Sequence, residues 1–260
     1  MIQQLQFVLH TTDGAKIPQA WAYRLYSWLL EQLPADWADA LHGDESRPVT
    51  QFLHYAKERQ AVIWTLNLRG EPLVEQAVPV LQQVRTIELQ ESVLEAELLP
   101  LSRPVTARTL LAAGRSAAGG RARLELLSPC AFKQGGRYAI FPQESLLLQS
   151  LAAHWNDAFP DFPVSDADAL AALLRGVHIV DYNLHTVRYG MKGTRVPGAL
   201  GSLTLEARLP LPLQELWNTL LAFAPYSGIG IKTTLGMGGV QTCSLDAGEG
   251  NWQSRQKEMP

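Results

Sequence analysis

The order of strand-like and helix-like segments constrains the fold of this 260-residue chain more than any single motif does. From residue 3 to residue 98, alternating apolar and polar residues mark strands, and apolar stripes of helical spacing mark helices. They follow one another as β-α-β-β-α-β, the order of the ferredoxin-like unit. After Pro100 and Pro104 the same order restarts and ends near residue 244. We therefore predict an α+β fold with two tandem ferredoxin-like, RRM-like domains.

The domain boundaries follow from where this pattern stops and restarts. The N-terminal domain is predicted to span residues 1–99 and to carry the chemistry described below, and the C-terminal domain residues 121–245. A linker is predicted over 100–120, with a short helix near 109–113 followed by a glycine- and serine-containing stretch. Residues 246–260 are polar and lack a periodic apolar face, so we predict a disordered tail.

A glycine-rich loop lies between the last predicted helix, 213–223, and the last predicted strand, 240–244. Glycine permits backbone conformations closed to other residues, and consecutive N–H groups in such a loop can cradle an anion. A glycine-rich hairpin at a domain edge is the alternative. The spacing does not match a P-loop. A dinucleotide-binding unit is not predicted either, because only a polar tail follows.

Composition excludes several classes of protein. Without a run of eighteen apolar residues or a signal-peptide pattern, we predict no membrane association. Cys130 and Cys243 are far apart and lack metal-ligand spacing, so we expect a cytoplasmic protein without a disulfide framework, metal site or cofactor. Cys130 is either a reactive thiol or, more simply, a small buried apolar residue.

The charge is unevenly distributed along the chain. The net charge of −3 argues weakly against nucleic acid as a partner. Residues 99–145, however, carry seven basic residues against two acidic ones, whereas residues 31–97 are acidic. This asymmetry predicts either a basic face on an acidic body or a set of solvated loops.

Four separated pieces of sequence resemble one family, the CRISPR-associated endoribonucleases that cut precursor CRISPR RNA at its repeats. The resemblance implies two ferredoxin-like domains side by side, in agreement with the element order. It rests on Tyr226-Ser-Gly-Ile-Gly-Ile-Lys-Thr with Gly236-Met-Gly-Gly-Val240; on Leu127-Ser-Pro-Cys-Ala-Phe132-Lys with Tyr138, Phe141-Pro142 and His154-Trp155-Asn156; on Val180-Asp-Tyr-Asn-Leu-His-Thr186 with Pro197-Gly-Ala-Leu-Gly201-Ser; and on Leu41-His42 with Arg47-Pro48-Val49-Thr50.

The chemistry implied by the resemblance is metal-independent. The ribose 2′-OH attacks the adjacent phosphate and leaves a 2′,3′-cyclic phosphate, which needs a general base, a general acid and a cation. His42 matches the position of the family's histidine; the alternative is a surface histidine at a helix C-terminus. Arg47 stands where members often have lysine, and it can hold phosphate but cannot shuttle a proton. Tyr23 or Tyr26, one turn apart on the first helix, would complete the site.

Three further histidines are weaker candidates. His54 is a rival base inside a predicted strand, where packing or solvent exposure is the simpler interpretation. His178 and His185 lie on a long predicted strand, where a structural or an RNA-contacting role fits equally well.

RNA binding, also implied by the resemblance, would use basic residues and the glycine-rich loop. The partner would be CRISPR repeat RNA as precursor and product, with an effector complex and a homodimer as further partners. Solvated charges without a partner are the alternative for many of the basic residues. The predicted contacts are Arg188, Lys192 and Arg195 at a hairpin tip; Arg121, Arg123, Lys133 and Arg137 as a continuing track; and Gly228, Gly230, Lys232, Gly236 and Gly238 in the loop.

Two other functions compete with RNA cleavage. A catalytically inactive repeat-RNA-binding protein of the same fold is one, because the match at the lysine position is poor. A ferredoxin-like scaffold for a small ligand or a protein is the other, with the basic stretch incidental.

Overall fold

The computed structural model describes residues 1–33, 48–90, 92–117, 119–191 and 193–245. It contains two antiparallel sheets with helices packed against them, one sheet in each half of the chain. The prediction of two tandem ferredoxin-like domains is confirmed.

The N-terminal sheet has the strand order β2-β3-β1-β5-β4, and its first four strands follow the ferredoxin-like arrangement. A 3-10 turn, Gln19–Trp21, leads into the first helix. The elements are β1 Ile2–Thr11, α1 Ala22–Gln32, β2 Val49–Ala56, β3 Ala61–Arg69, α2 Glu71–Leu81, β4 Thr86–Leu89 and β5 Ser92–Leu98.

The sequence predicts one strand within residues 85–98, and the structure has a hairpin of two. Strands β4 and β5 pair antiparallel from Thr86 opposite Glu95 to Leu89 opposite Ser92. The buried residues Ile87, Leu89, Leu94 and Ala96 belong to one core. Apolar and polar residues alternate along both strands, and the apolar side of each faces the core. This alternation therefore does not reveal the turn between the two strands.

A tryptophan organises the N-terminal core. Trp64 on β3 is fully buried, stacks on Phe7 at 5.4 Å between ring centroids, and meets Trp28 of α1 edge-on at 6.2 Å. Aromatic pairs at these separations add to the free energy gained from burying their area. They fix the angle at which α1 lies across the sheet.

The C-terminal sheet has the order β11-β6-β10-β9, again ferredoxin-like. A small hairpin, β7–β8, follows β6 and was not predicted from the sequence. The elements are α3 Ala107–Ser116, β6 Arg121–Cys130, β7 Phe132–Gln134, β8 Arg137–Ala139, α4 Glu144–Ala158, α5 Ala167–Gly176, β9 Val177–Met191, β10 Thr194–Ala207, α6 Leu211–Ser227 and β11 Val240–Ser244.

Helix α3 lies within the segment predicted as a linker. Thr106 caps it by accepting a hydrogen bond from the Thr109 backbone N–H at 3.2 Å, and Leu110 is buried in the C-terminal core. Gly114 lets α3 approach α6 closely, since a Cβ there would lie 2.6 Å from the Glu215 carbonyl oxygen. Residues 107–116 thus pack with the C-terminal domain, and the exact domain boundaries remain a prediction.

The two domains meet where β2 and β3 face the end of α6. The Thr50 hydroxyl donates to the Tyr226 carbonyl oxygen at 2.8 Å. Nearby, Arg69 forms an ion pair of 2.6 Å with Asp157 of α4, and both side chains are mostly shielded from solvent. Within the described ranges, no helix is long and apolar enough to cross a membrane.

Candidate functional site

The glycine-rich loop, residues 228–239, is closed by hydrogen bonds within the protein. Eight of its twelve backbone N–H groups donate to protein oxygens, and these bonds tie the loop to the end of β6 and to α4. The bonds that leave the loop run from Gly228 to Ala224, from Gly230 to the Ser150 hydroxyl, from Ile231 to Ala131, from Gly238 to Pro129 and from Gly239 to the Ser128 hydroxyl.

Close packing accounts for the glycines of this loop. Gly228, Gly230, Gly236 and Gly238 are buried and have φ values of 65°, 85°, 99° and 70°, which favour glycine. A Cβ on Gly236 would collide with the Tyr189 hydroxyl and with Ala22. The structure therefore does not match the picture of an open anion cradle, because the N–H groups of Gly228, Gly230 and Gly238 already have protein partners. Direct RNA contacts by the four glycines stay a prediction.

Lys232 occupies a strained position at the turn of the loop. Its φ of 59° lies in the left-handed region, and its carbonyl oxygen accepts from Leu235 at 2.9 Å and Met237 at 3.2 Å. The side chain is half-buried. A non-glycine residue is uncommon in this conformation, so the surrounding hydrogen bonds must hold it there.

Gln51 on β2 joins the loop to the first helix. It is 1% exposed, and its amide nitrogen donates to the carbonyl oxygens of Ala22 and Thr234, each at 2.9 Å. Its amide oxygen accepts from the Trp64 indole at 2.9 Å. Because the Gln51 side chain is buried, losing one of these bonds would leave a buried polar group unsatisfied. The start of α1 is thus fastened to the glycine-rich loop.

Tyr189 of β9 also contacts the place where the glycine-rich loop meets the start of α1. Its hydroxyl donates to the Leu235 carbonyl oxygen at 2.8 Å and lies 3.3 Å from that of Gln19. Burial raises the pKa of Tyr189 far above its ordinary value, so the hydroxyl stays protonated. The tip of the β9–β10 hairpin is therefore held against the turn that begins α1.

The two candidate tyrosines of α1 occupy different environments. Tyr26 is 6% exposed in the N-terminal core, and burial raises its pKa. Tyr23 is half-buried and packs beside the cluster formed by Ala131, Tyr189, Met191, Val196 and Met237. Although they are one turn apart, the Tyr26 side chain packs in the N-terminal core and the Tyr23 side chain packs at the domain interface. Which of the two serves the proposed site stays a prediction.

His42 and Arg47 lie outside the described residues, so their catalytic roles stay predictions. The described chain resumes at Pro48, which lines a small cavity between the domains. This cavity has a volume of about 20 Å³, room for a single water molecule, and is also lined by Thr50, His154 and Thr233.

The structure divides the predicted basic track into two groups. Arg188 and Arg195 are exposed near the tip of the β9–β10 hairpin, and Lys192 lies outside the described residues. Arg121, by contrast, lies opposite Glu206 of β10, eleven residues from Arg195 and therefore roughly 36 Å away along the strand. Arg121 and the hairpin tip thus lie at opposite ends of the sheet, and RNA contacts by both groups stay predictions.

The remaining members of that track also separate. Arg123 pairs with Glu125 at 3.2 Å and donates to the Ser202 hydroxyl at 3.0 Å, on the same strand as Arg121. Lys133 and Arg137 are exposed on the β7–β8 hairpin, which follows the end of β6. Cys130 at that end lies opposite Ala199, so the hairpin belongs to the tip end of the sheet.

His54 is poorly suited to act as a general base. It lies on β2 beside Phe52, and its Nδ1 is buried without a hydrogen-bond partner among the described residues. Burial lowers its pKa to about 4, although Glu58 opposes the shift. A base with such a pKa accepts protons weakly near neutrality. His178 and His185 are exposed on β9.

Cys130 is a buried packing residue. Its thiol points to the Ile229 carbonyl oxygen at 3.4 Å, and burial raises its pKa to about 12. A thiol that stays protonated is a weak nucleophile. Of the two interpretations of Cys130, the structure supports the buried apolar residue.

Comparisons with known proteins agree with this architecture. The family model described as CRISPR-associated endoribonuclease Cas6 matches residues 124–240. A Cas6 endoribonuclease from Streptococcus thermophilus is 29% identical over 226 residues, covering 85% of this chain and 90% of the relative. Another from Mycobacterium tuberculosis is 28% identical over 230 residues, covering 85% of this chain and 71% of the relative. The chain is thus similar to CRISPR-associated endoribonucleases over 85% of its length.

Solved Cas6 structures share the fold of both domains. Thermus thermophilus Cas6 superposes with a TM-score of 0.72 at 23% identity, covering 94% of this chain and 98% of that one. A second Cas6, in a product complex, gives a TM-score of 0.77 at 21% identity, covering 94% and 99%. The Cas6 family model itself runs from β6 to the first residue of β11 and includes the glycine-rich loop.

The burial of His54 predicts a pH-dependent loss of stability. Since its pKa is about 4 in the folded protein and near 6.5 when unfolded, the unfolded state takes up a proton first as the pH falls. His54 therefore costs no stability above pH 6.5, and the folded state loses stability progressively from there down to pH 4. Between pH 7.5 and 5 we expect the wild type to lose about 1–2 kcal/mol more than His54→Gln, measured by urea unfolding. An equal pH dependence in the two proteins would contradict the assigned burial.

Proposed function

We propose that this chain cuts CRISPR repeat RNA and releases mature guide RNA. The observation that carries the proposal is the pair of hydrogen bonds by which the Tyr189 hydroxyl connects the β9–β10 hairpin to the glycine-rich loop and to the turn before α1. There the basic hairpin tip with Arg188 and Arg195 is held beside the start of α1, which carries Tyr23. The names of the relatives supply the substrate class, and similar solved structures include Cas6 complexes with a product and with a substrate mimic.

The proposed reaction needs neither a metal ion nor a cofactor. The 2′-OH of one ribose attacks the adjacent phosphorus, and the bond to the 5′ oxygen of the next nucleotide breaks. The 2′ proton goes to a base and the leaving oxygen receives a proton, so the products are a 2′,3′-cyclic phosphate and a 5′-OH. We assign the base to His42, because an imidazole titrates near neutrality.

Two further residues would assist His42. Arg47 would stabilise the charge that develops on the phosphate, since its guanidinium is always positive and cannot take part in proton transfer. Tyr23 would orient the reacting phosphate from the start of α1. The proposal places this chemistry in the cytoplasm and includes an effector complex or a homodimer as further partners of the processed RNA.

The first test is a cleavage assay on the cognate repeat RNA with excess EDTA, comparing the wild type with His42→Ala. We expect cleavage to persist in EDTA, to be abolished by a 2′-deoxyribose at the cut site, and to slow at least a hundredfold in His42→Ala, because the base is lost. His10→Ala is the matched control, since His10 is an exposed histidine on β1.

Each outcome of this assay is informative. Binding without cleavage by the wild type would replace the proposal with the catalytically inactive RNA-binding protein. Cleavage that survives His42→Ala would keep the activity and move the base elsewhere. Cleavage lost in EDTA and restored by a divalent metal would overturn the metal-independent mechanism.

The two basic groups predict different effects on RNA affinity. Arg188→Ala with Arg195→Ala should weaken binding and lower the slope of log K against log salt by about 2, if each arginine contacts one phosphate. Arg121→Ala with Arg123→Ala should change the slope less, because these residues lie at the other end of the sheet and Arg123 is already paired. Filter binding over a salt series measures both slopes. A larger effect from Arg121→Ala with Arg123→Ala would contradict this prediction, because it would place the RNA at the end of the sheet away from the hairpin tip.

A further inference from the structure

Exposed aromatic side chains gather on one part of the C-terminal domain. Among the described residues, five phenylalanine or tyrosine side chains are strongly exposed. Three of them lie around β8 and β9: Tyr138 and Phe141, each 47% exposed, and Tyr182, 58% exposed. The other two, Tyr55 and Phe162, lie on β2 and after α4. Exposing three aromatic rings in one area gives up the free energy of burial, so such a patch commonly marks a binding surface.

Two of these rings form an organised pair. Phe141 and Tyr182 meet edge to face, with ring centroids 5.4 Å apart and an angle of 81° between the planes. The segment that carries Phe141 is fixed next to β9, because Glu144, three residues later, accepts a hydrogen bond from the Ile179 N–H at 2.9 Å. The two rings therefore hold each other in place while about half of each remains open to solvent.

Basic residues lie on the β7–β8 hairpin and farther along β9. In the β7–β8 hairpin Lys133 lies directly opposite Tyr138, and Arg137 precedes it. Along β9, Tyr182 and Arg188 are six residues apart, so their side chains share one face of the strand about 20 Å from each other. Within the described parts of the chain, none of these three basic residues forms an ion pair. Their charges are thus available to a polyanion.

We propose that Phe141 and Tyr182 form a stacking site for an unpaired base of the RNA. Aromatic rings bind bases of any sequence through their π faces, and neighbouring Lys and Arg side chains hold the phosphates that connect them. Exposed rings interspersed with uncompensated cations suit single-stranded RNA better than a protein partner, because the cores of protein interfaces are depleted in charge. The site rests on the proposed function and adds to it a surface for unpaired nucleotides on the C-terminal domain, at the level of Leu203 and Leu124 in the sheet.

The test measures the affinity of full-length variants for repeat RNA with its unpaired flanking nucleotides. Tyr182→Ala and Phe141→Ala should each weaken binding about 5- to 100-fold, the range found for removing one stacked base contact. Tyr182→Phe should keep the wild-type affinity, because stacking needs the ring and not the hydroxyl. Tyr55→Ala and Phe162→Ala are matched controls that remove equally exposed rings elsewhere. Thermal melting checks that every variant is folded.

The outcomes separate this site from the proposed function. If the wild type itself fails to bind the repeat RNA, the proposed function fails. If the wild type binds and Tyr182→Ala and Phe141→Ala behave like the two controls, the stacking site is wrong. An equal loss in Tyr182→Phe and Tyr182→Ala would assign the contact to the hydroxyl and also overturn stacking. A change of oligomeric state in the two alanine variants, with RNA affinity intact, would assign the patch to a protein interface.

Discussion

The backbone hydrogen bonds of the glycine-rich loop are the interaction on which the arrangement of this protein depends. The loop passes from α6 to β11 between the two domains, and its N–H groups bind Pro129, Ala131, Ser128 and Ser150 of the C-terminal domain. On its other side, the Thr234 carbonyl oxygen receives the Gln51 amide of the N-terminal domain. Only glycine fits at positions such as Gly236, where a Cβ would strike both Tyr189 and Ala22. The loop is therefore a packed joint between the domains.

This joint determines which functional groups can meet. It presses the tip of the long β9–β10 hairpin against the start of α1, so that Tyr23 and the exposed Arg188 and Arg195 belong to one region of the molecule. The C-terminal domain also carries the exposed rings of Phe141 and Tyr182 and the β7–β8 hairpin. Along β9, Tyr182 lies about 20 Å from Arg188, so an RNA would have to extend along the strand to reach both.

Much of the fold could be predicted from the sequence, because alternation and helical spacing report which residues are buried. The order of both ferredoxin-like units followed from that pattern alone. The β7–β8 hairpin was missed, since strands of three residues are too short for any period to show. The separation of the basic residues could not be predicted for another reason: Arg121 and Lys133 are close in sequence, but an antiparallel strand carries the chain from one end of the sheet to the other between them. Similarly, one turn of helix separates Tyr23 from Tyr26, yet only the tertiary structure shows that one lies in the core.

Hydrogen–deuterium exchange of the loop amides in the RNA-free protein tests the central claim most directly. If the glycine-rich loop is a packed joint, the N–H groups of Ile229, Gly230, Gly238 and Gly239 should exchange only through local unfolding of the C-terminal domain around the loop, as slowly as the neighbouring β6 amides. Adding repeat RNA should change their protection little. Fast exchange in the free protein that slows on RNA binding would contradict the account, because it would show that these amides are open and are ordered by the RNA.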